Sequence, residues 1–317
     1  MTREQQRFCE NKLGVFRSVM RGGSWGWMYC SESFRYHPWN CSVQQNVNFT
    51  SLVNYWLRDG TKEGAFLEAV RSAGMAYDLA KSCQDGRLDD CHCRREFSSS
   101  TSPSNEKSGD ETVVDDWIWG GCPQKTRYSQ RVAKEFLSSE LDDLPRKSAL
   151  RKWIVANRQV GLQMPESLMK LRCKPCRKLY GHMCPWRTCW RELPTSFTHV
   201  GHALRKLYES AVLAVNNSME QLWNYGHPNL EDAKLLSLNE SPNYCEKFDM
   251  ARRECQVADD SLPRCDVTCC RKSYQIEVRD LKKCQDEDGG EKKRRRFSFS
   301  RNCENYTITT LVRRFCE

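Results

Sequence analysis

Apolar positions recur at three- and four-residue steps through the first two thirds of the chain, which predicts amphipathic helices. The longest stripe predicts a helix over residues 63–80, and shorter stripes predict helices over 128–137, 148–160 and 200–209. A short apolar run over 211–215 suits a strand. The pattern therefore predicts a mainly α N-terminal region.

The pattern changes towards the C-terminus, where closely spaced cysteines replace helical periodicity from Ser241 onward. A segment of this size cannot fold on apolar burial alone and needs covalent links. We expect a helical N-terminal domain over 1–230 and a small, disulfide-rich β domain over 231–317.

Cysteine content and glycosylation motifs indicate where the chain folds. Its 19 cysteines in 317 residues are spread over the whole chain, which is typical of a disulfide framework in an oxidising compartment. The N-terminus has no apolar stretch of signal-peptide length, so we expect that a targeting segment precedes it. We expect a secreted protein of the extracellular space or matrix without a stable membrane anchor. Candidate glycosylation sites are Asn40, Asn48, Asn216, Asn239 and Asn305.

The net charge of +9 favours acidic partners. Outside the cell these are sulfated glycans such as heparan sulfate, so we expect no nucleic acid. The densest basic run is a candidate glycan-binding site, or else a solvated loop, a nuclear localisation signal or a convertase site. Cysteine usage disfavours the nucleus, and Lys293 occupies a position where convertases prefer arginine. The run is Lys292, Lys293, Arg294, Arg295 and Arg296.

Enzyme and metal chemistry have little support in the sequence. His-Glu-x-x-His and Gly-rich phosphate loops are absent from it, so we expect neither an enzyme nor a cofactor. Cys173, Cys176, Cys184 and Cys189 have the spacing of a four-thiolate zinc site, which with the basic run would suggest a nuclear regulator. Zinc needs reduced thiolates, whereas the sequons indicate oxidising conditions. We therefore expect no metal site.

Five motifs with cysteines follow one another along the chain. They are Cys30 to Cys41, Cys83 to Cys93, Trp117-Ile-Trp-Gly-Gly-Cys122, Cys173 to Trp190 and Ser241-Pro-Asn-Tyr-Cys245. Together they resemble the Wnt family of secreted signalling proteins over nearly the whole chain. The resemblance implies a two-domain fold with a thumb loop (173–190) and a finger loop (284–303). It also implies binding to the cysteine-rich domain of Frizzled-class receptors, with a co-receptor as a further candidate partner.

The resemblance also implies a disulfide pairing that sequence arithmetic alone cannot select. Cys9 is left over, either as a free thiol or as the partner of a cysteine further upstream. The implied pairs are Cys30–Cys41, Cys83–Cys91, Cys93–Cys122, Cys173–Cys189, Cys176–Cys184, Cys245–Cys270, Cys255–Cys265, Cys269–Cys316 and Cys284–Cys303.

The thumb loop departs from the family. Family members carry a serine there that receives an unsaturated fatty acid, but residues 177–183 contain no serine. The position of that serine corresponds to Gly181 or to Tyr180, depending on the alignment. We expect a ligand without lipid that contacts its receptor through Tyr180, Gly181, His182 and Met183. It resembles in type an insect branch of the family that lacks the serine, which implies feedback inhibition of Toll/Dorsal signalling; the alternative is a soluble antagonist of Wnt receptors.

The finger loop also differs from the family's pattern. Phe297-Ser298-Phe299 stands where the family has Trp-Cys-Cys, so the finger has two fewer disulfides. Phe297 and Phe299 would share one face of an extended finger, where exposed aromatic side chains are candidate receptor anchors. The alternative is that both rings are structural and take over the packing that a tip disulfide provides in the family.

Overall fold

The computed structural model of the chain describes residues 5–7, 10, 12–39, 41, 59–88, 91, 117–119, 124–142, 144–175, 187–214, 233–247, 250–255, 264–284 and 306–317. The chain forms two compact units. The first comprises Met1–Glu32 and Val43–Ser241, and the second comprises Ser33–Ser42 and Pro242–Glu317.

Five helices form most of the first unit as described. Four match the predicted helices, which the structure confirms and extends by a few residues. The first, α1, was not predicted, because Gly22, Gly23 and Gly26 interrupt its apolar pattern and lower its helix propensity. The helices are α1 (Leu13–Ser33), α2 (Lys62–Gln84), α3 (Gln124–Ser138), α4 (Ala149–Ser167) and α5 (Phe197–Glu209).

Helix α2 is the centre of this unit. It begins after Thr61, whose hydroxyl oxygen accepts a hydrogen bond from the N–H of Gly64 and so caps the helix. Helices α3, α4 and α5 all pack against it. It is buried on nearly every side and not along one stripe alone. Its apolar side chains share a core with α1, α3 and α4, formed by Val15, Val19, Met75, Ala76, Leu79, Cys83, Leu88, Val132, Ala133, Phe136, Leu137 and Leu162.

Charged residues are also enclosed between these helices. The guanidinium of Arg158 donates to Glu68 at 2.7 Å and to Glu140 at 2.8 Å, and Arg71 donates to Glu140 at 2.6 Å. Burial alone would raise the pKa of Glu140, but the charges of Arg71 and Arg158 and hydrogen bonds from Arg71 and Gln5 outweigh it, lowering the pKa to about 2. Ion pairs between side chains therefore join α2 and α4 to the turn after α3.

Two small sheets complete the first unit. In one, β3 (Arg187–Glu192) lies between β2 (Lys170–Pro175), its antiparallel partner, and β1 (Trp117–Trp119), which is parallel to it. In the other, β4 (Val212–Leu213) pairs in parallel with β5 (Leu236–Ser237). Strand β4 lies within the apolar run that predicted a strand.

Residues 233–241 belong to this first unit, although the sequence assigned them to the C-terminal domain. The side-chain amide of Asn157 on α4 accepts from the N–H of Leu236 at 3.0 Å and donates to its carbonyl at 3.1 Å. A buried asparagine thus completes the hydrogen bonds of β5. Because this contact joins residues that are distant in sequence, no local sequence pattern predicts it. The boundary itself, near 230, lies outside the described residues.

The second unit is a three-stranded sheet with short helices. Strand β8 (Tyr306–Cys316) lies between β6 (Glu254–Cys255) and β7 (Tyr274–Cys284), antiparallel to both. Helices α6 (Tyr244–Lys247) and α7 (Cys265–Thr268) have one turn each. Its small core consists of Met250 and cysteines. The expected combination of a helical region and a disulfide-rich β region is confirmed.

Candidate functional site

The thumb hairpin (β2 and β3) is the stem of the first candidate receptor-binding loop. Its register places Cys173 opposite Cys189, and a disulfide joins the two. The residues linking the strands in sequence, 176–186, lie outside the described part of the chain. Tyr180, Gly181, His182 and Met183 therefore remain predicted receptor contacts.

The third strand of the thumb sheet was missed by sequence reasoning. Trp117, Ile118 and Trp119 form β1, which pairs with residues 187–189 of β3 in parallel. These residues belong to the Trp-Ile-Trp-Gly-Gly-Cys motif that resembles the Wnt family. Its two tryptophans around an isoleucine are typical of a strand, and this signal could have predicted β1.

One face of the thumb hairpin carries positive charge beside an aromatic ring. The ammonium of Lys174 lies 5.5 Å from the ring centroid of Trp190, within cation–π range. Arg172 on the same face donates to Glu192 at 3.0 Å. Leu171 on the opposite face is 55% exposed. The stem is thus a basic and partly apolar surface.

The finger hairpin (β7 and β8) is the stem of the second candidate loop. Its eleven residue pairs run from Tyr274 opposite Cys316 to Cys284 opposite Tyr306. Phe297, Phe299 and the basic run 292–296 lie outside the described residues, as does Cys303. The anchor and glycan-binding hypotheses are therefore still predictions.

Disulfides connect elements within each of the two units. Five bonds have described geometry, and each joins partners that the resemblance implies. Cys30 and Cys41 are also disulfide-bonded, and the other implied pairs involve residues outside the described ranges. The five bonds are Cys83–Cys91, Cys173–Cys189, Cys245–Cys270, Cys255–Cys265 and Cys269–Cys316.

The bonding state of the cysteines tests the hypothesis of a zinc site in the thumb motif. Cys173 and Cys189 are two of its four proposed ligands, and the disulfide between them leaves neither as a thiolate. The sulfurs of Cys255, Cys269 and Cys316 lie within 4.8 Å of one another. They too belong to disulfides, so this cluster is not a set of free metal ligands.

Asn239 is the one candidate glycosylation site within the described residues. Its side chain is exposed, and its amide nitrogen donates to the carbonyl of Asp59 at 2.7 Å. The sequon hydroxyl of Ser241 donates to the buried carboxylate of Glu63. The remaining sites, Asn40, Asn48, Asn216 and Asn305, lie outside the described residues.

Comparison with known proteins decides the family. The sequence profile described as the wnt family matches residues 1–286. The chain belongs to the Wnt family. Members of this family are secreted signalling ligands that act in development, and they are not enzymes. Membership agrees with the disulfide framework and with the two kinds of structural unit.

Individual Wnt proteins are similar to most of the chain. Protein Wnt-16 of cattle (Bos taurus) is 29% identical over 300 residues, which cover 89% of this chain and 78% of that protein. Protein Wnt-3a of the mouse (Mus musculus) is 28% identical over 297 residues, covering 89% and 79%.

A solved structure of a Wnt protein shows the same fold. One chain of the structure of human WLS in complex with WNT8A matches with a TM-score of 0.60 at 25% identity, over 95% of this chain and 93% of that one. The N-terminal domain and linker of Drosophila WntD match with a TM-score of 0.43 at 17% identity over 73% of this chain. The second likeness is too distant to support an argument.

No described helix of this Wnt protein has the length and apolar character needed to cross a membrane.

Proposed function

We propose that this protein is a secreted Wnt-type ligand that binds the cysteine-rich domain of Frizzled-class receptors without an acyl chain. The observation that carries the proposal is the absence of serine from residues 177–183 in a chain that belongs to the Wnt family. The disulfide-closed stem of the thumb hairpin supports a loop at the family's position. That loop lacks the serine hydroxyl that accepts the acyl chain in the family.

The missing lipid changes the energetics of binding. A buried acyl chain contributes about 0.8 kcal/mol for each CH₂ group, so affinity here must come from protein contacts alone. We assign these to Tyr180, Gly181, His182 and Met183 on the thumb and to Phe297 and Phe299 on the finger. A ligand without lipid also needs no acyltransferase and stays dissolved without a membrane anchor.

Mass spectrometry tests the missing lipid. The deglycosylated peptide that spans Cys176 and Cys184 should have its unmodified mass when the protein is secreted with the family's acyltransferase. Gly181→Ser and Tyr180→Ser restore a hydroxyl in the two possible registers, and one of them should gain the mass of a fatty acid. An acylated unchanged peptide would contradict the proposal. Thr188→Ser, on the stem, is the matched control.

Binding to isolated Frizzled cysteine-rich domains tests the receptor class. The secreted protein should bind at least one of these domains, and Phe297→Ala with Phe299→Ala should weaken binding without lowering secretion. Absence of binding to every domain tested would reject the receptor assignment. If the double variant is instead poorly secreted, the two rings are structural and do not anchor a receptor.

The signalling outcome is a separate part of the proposal. The missing acylated serine, which is also the feature of an insect branch of the family, favours a ligand that damps signalling, either a feedback inhibitor of Toll/Dorsal signalling or a soluble antagonist of Wnt receptors. Reporter assays for the two pathways separate these functions. Inhibition confined to the Toll/Dorsal reporter supports the first, competition with an acylated Wnt supports the second, and activation of the Wnt reporter contradicts damping.

Sulfated glycans are the second proposed class of partner. The run from Lys292 to Arg296 carries five consecutive positive charges, which favours heparan sulfate near cell surfaces. Replacing the five with glutamine should lower the salt concentration that elutes the protein from heparin, because these contacts are electrostatic. An unchanged elution point would reject this assignment.

A further inference from the structure

The glycosylation sequon over residues 239–241 is held against the loop that precedes α2. The N–H groups of Leu238 and Asn239 both donate to the carbonyl of Gly60, at 2.6 and 3.1 Å. The side-chain amide of Asn239 donates to the carbonyl of Asp59 at 2.7 Å. Although Asn239 is exposed, both its backbone and its side chain are therefore bonded to this loop.

The hydroxyl group of the sequon is anchored as well. The Oγ atom of Ser241 lies 2.8 and 3.0 Å from the two carboxylate oxygens of Glu63, to which it donates. Glu63 lies in the first turn of α2, is 1% exposed, and also accepts a hydrogen bond from the hydroxyl of Tyr208 at 3.0 Å. A buried acceptor that loses a donor keeps its desolvation cost, so the release of Ser241 is unfavourable.

Attachment of a glycan needs the same two side chains. The motif requires an asparagine and a hydroxyl two residues later, because the transferring enzyme recognises both groups. In the transfer, the amide nitrogen of Asn239 bonds to the anomeric carbon of a lipid-linked oligosaccharide and loses one proton, while the bond from that carbon to the diphosphate of the lipid breaks. In the folded chain this nitrogen and this hydroxyl are already bonded to Asp59 and Glu63.

We propose that folding closes this sequon, so that the secreted protein carries no glycan on Asn239 and this residue is structural. The order of synthesis favours closure, because Asp59 precedes Asn239 by 180 residues and Glu63 precedes Ser241 by 178. The partners of the sequon have therefore been translocated before the sequon reaches the transferring enzyme. This inference requires entry into the secretory pathway but not receptor binding, so its failure is distinguishable from failure of the Frizzled assignment.

Glycopeptide mass spectrometry of the whole protein tests this closure, and the peptide with Asn239 should have its unmodified mass. Gly60 has a φ of 65°, and a Cβ atom there would lie 3.0 Å from the Cβ of Leu238 and 3.3 Å from the Nδ2 of Asn239. Gly60→Ala therefore strains the loop and displaces the sequon, so Asn239 should gain a glycan. Gly86→Ala is the matched control, because Gly86 has a φ of 68° but a Cβ there meets no described atom within 4 Å. It should leave Asn239 unmodified.

A second measurement needs no variant. A membrane-permeable dithiol, added during synthesis, prevents disulfide formation and delays folding, so the unchanged chain should then gain a glycan on Asn239. Peptides from the cell lysate are measured beside those from the medium, so that a chain retained in the cell is also tested. A glycan on Asn239 of the untreated, unchanged protein overturns the proposal. An unmodified Asn239 in both the Gly60→Ala variant and the dithiol-treated chain also overturns it, because the motif and not the fold would then prevent transfer.

Discussion

At the scale of single residues, the helical unit depends on charges that are buried in pairs. Arg158 is 5% exposed and Glu68 is fully buried, and the guanidinium bonds to both carboxylate oxygens. A buried ion that loses its partner keeps its desolvation cost without the compensating attraction. These residues therefore constrain the fold strongly, although their identity suggested surface positions.

Removing one charge of the buried pair should be costly. We expect Glu68→Gln to lower the free energy of unfolding by up to about 3–5 kcal/mol, because Arg158 stays buried and keeps only Glu140 of its two carboxylate partners. Arg172→Gln breaks the exposed pair with Glu192 and should cost less than about 1 kcal/mol. Urea denaturation of both variants measures the difference, and equal losses would contradict this account.

Glu140 should make stability depend on acidity. Its pKa is about 2 in the folded chain and 4.5 ordinarily, so its stabilising contribution is present above pH 4.5 and is lost as the pH falls towards 2. The loss amounts to roughly 3 kcal/mol at most. Denaturation at several pH values should show a shallower acid dependence for Glu140→Gln than for the unchanged protein. If the stability of both proteins falls with pH at the same slope, other carboxylates are responsible for the acid dependence.

At the scale of elements, glycines set the distance between helices. A Cβ atom on Gly74 of α2 would lie 2.1 Å from the carbonyl oxygen of Gly22 on α1, and one on Gly22 would lie 2.2 Å from that of Gly74. A Cβ on Gly161 of α4 would lie 2.0 Å from the carbonyl oxygen of Ala69. The same glycines that weakened the sequence signal of α1 allow it to pack closely against α2.

A methyl group at this contact should force the helices apart. Gly74→Ala meets backbone atoms that cannot rotate away, so we expect a loss of about 1–3 kcal/mol or more in the free energy of unfolding. A Cβ on Gly14 of α1 would meet the side-chain end of Leu88 at 3.2 Å and the carbonyl oxygen of Arg87 at an ordinary contact distance of 3.9 Å, so Gly14→Ala should change stability by less than about 1 kcal/mol. Thermal unfolding of the two variants compares them directly; a stable Gly74→Ala would show that the contact tolerates displacement.

At the scale of the whole molecule, covalent links compensate for small cores. The second unit buries Met250 and a group of cysteines, which is too little apolar surface to stabilise a domain of its size alone. Three described disulfides lie within it. Restricting the unfolded chain stabilises such units by several kcal/mol.

Disulfide mapping tests the complete covalent framework. Non-reducing peptide mapping should find nine intrachain bonds with the implied partners, including those at Cys93, Cys122, Cys176, Cys184 and Cys303. Nine bonds use eighteen of the nineteen cysteines, so thiol labelling of the denatured, unreduced protein should modify Cys9 alone. Free thiols throughout the thumb motif together with bound zinc would revive the metal alternative.

The sequence alone indicated the family, the partners of the five described disulfides, which the family resemblance implies, and four of the five described main helices, because these depend on local spacing and on cysteine motifs. It also showed the absence of serine between Cys176 and Cys184. Only the tertiary structure decided that α1 is a helix, that Trp117–Trp119 joins the thumb sheet, and that residues 233–241 group with the helices. Each of these depends on partners distant in sequence: a facing glycine, a parallel strand, and a buried asparagine. Local sequence patterns cannot predict such contacts, because the contacts form only when the chain has folded.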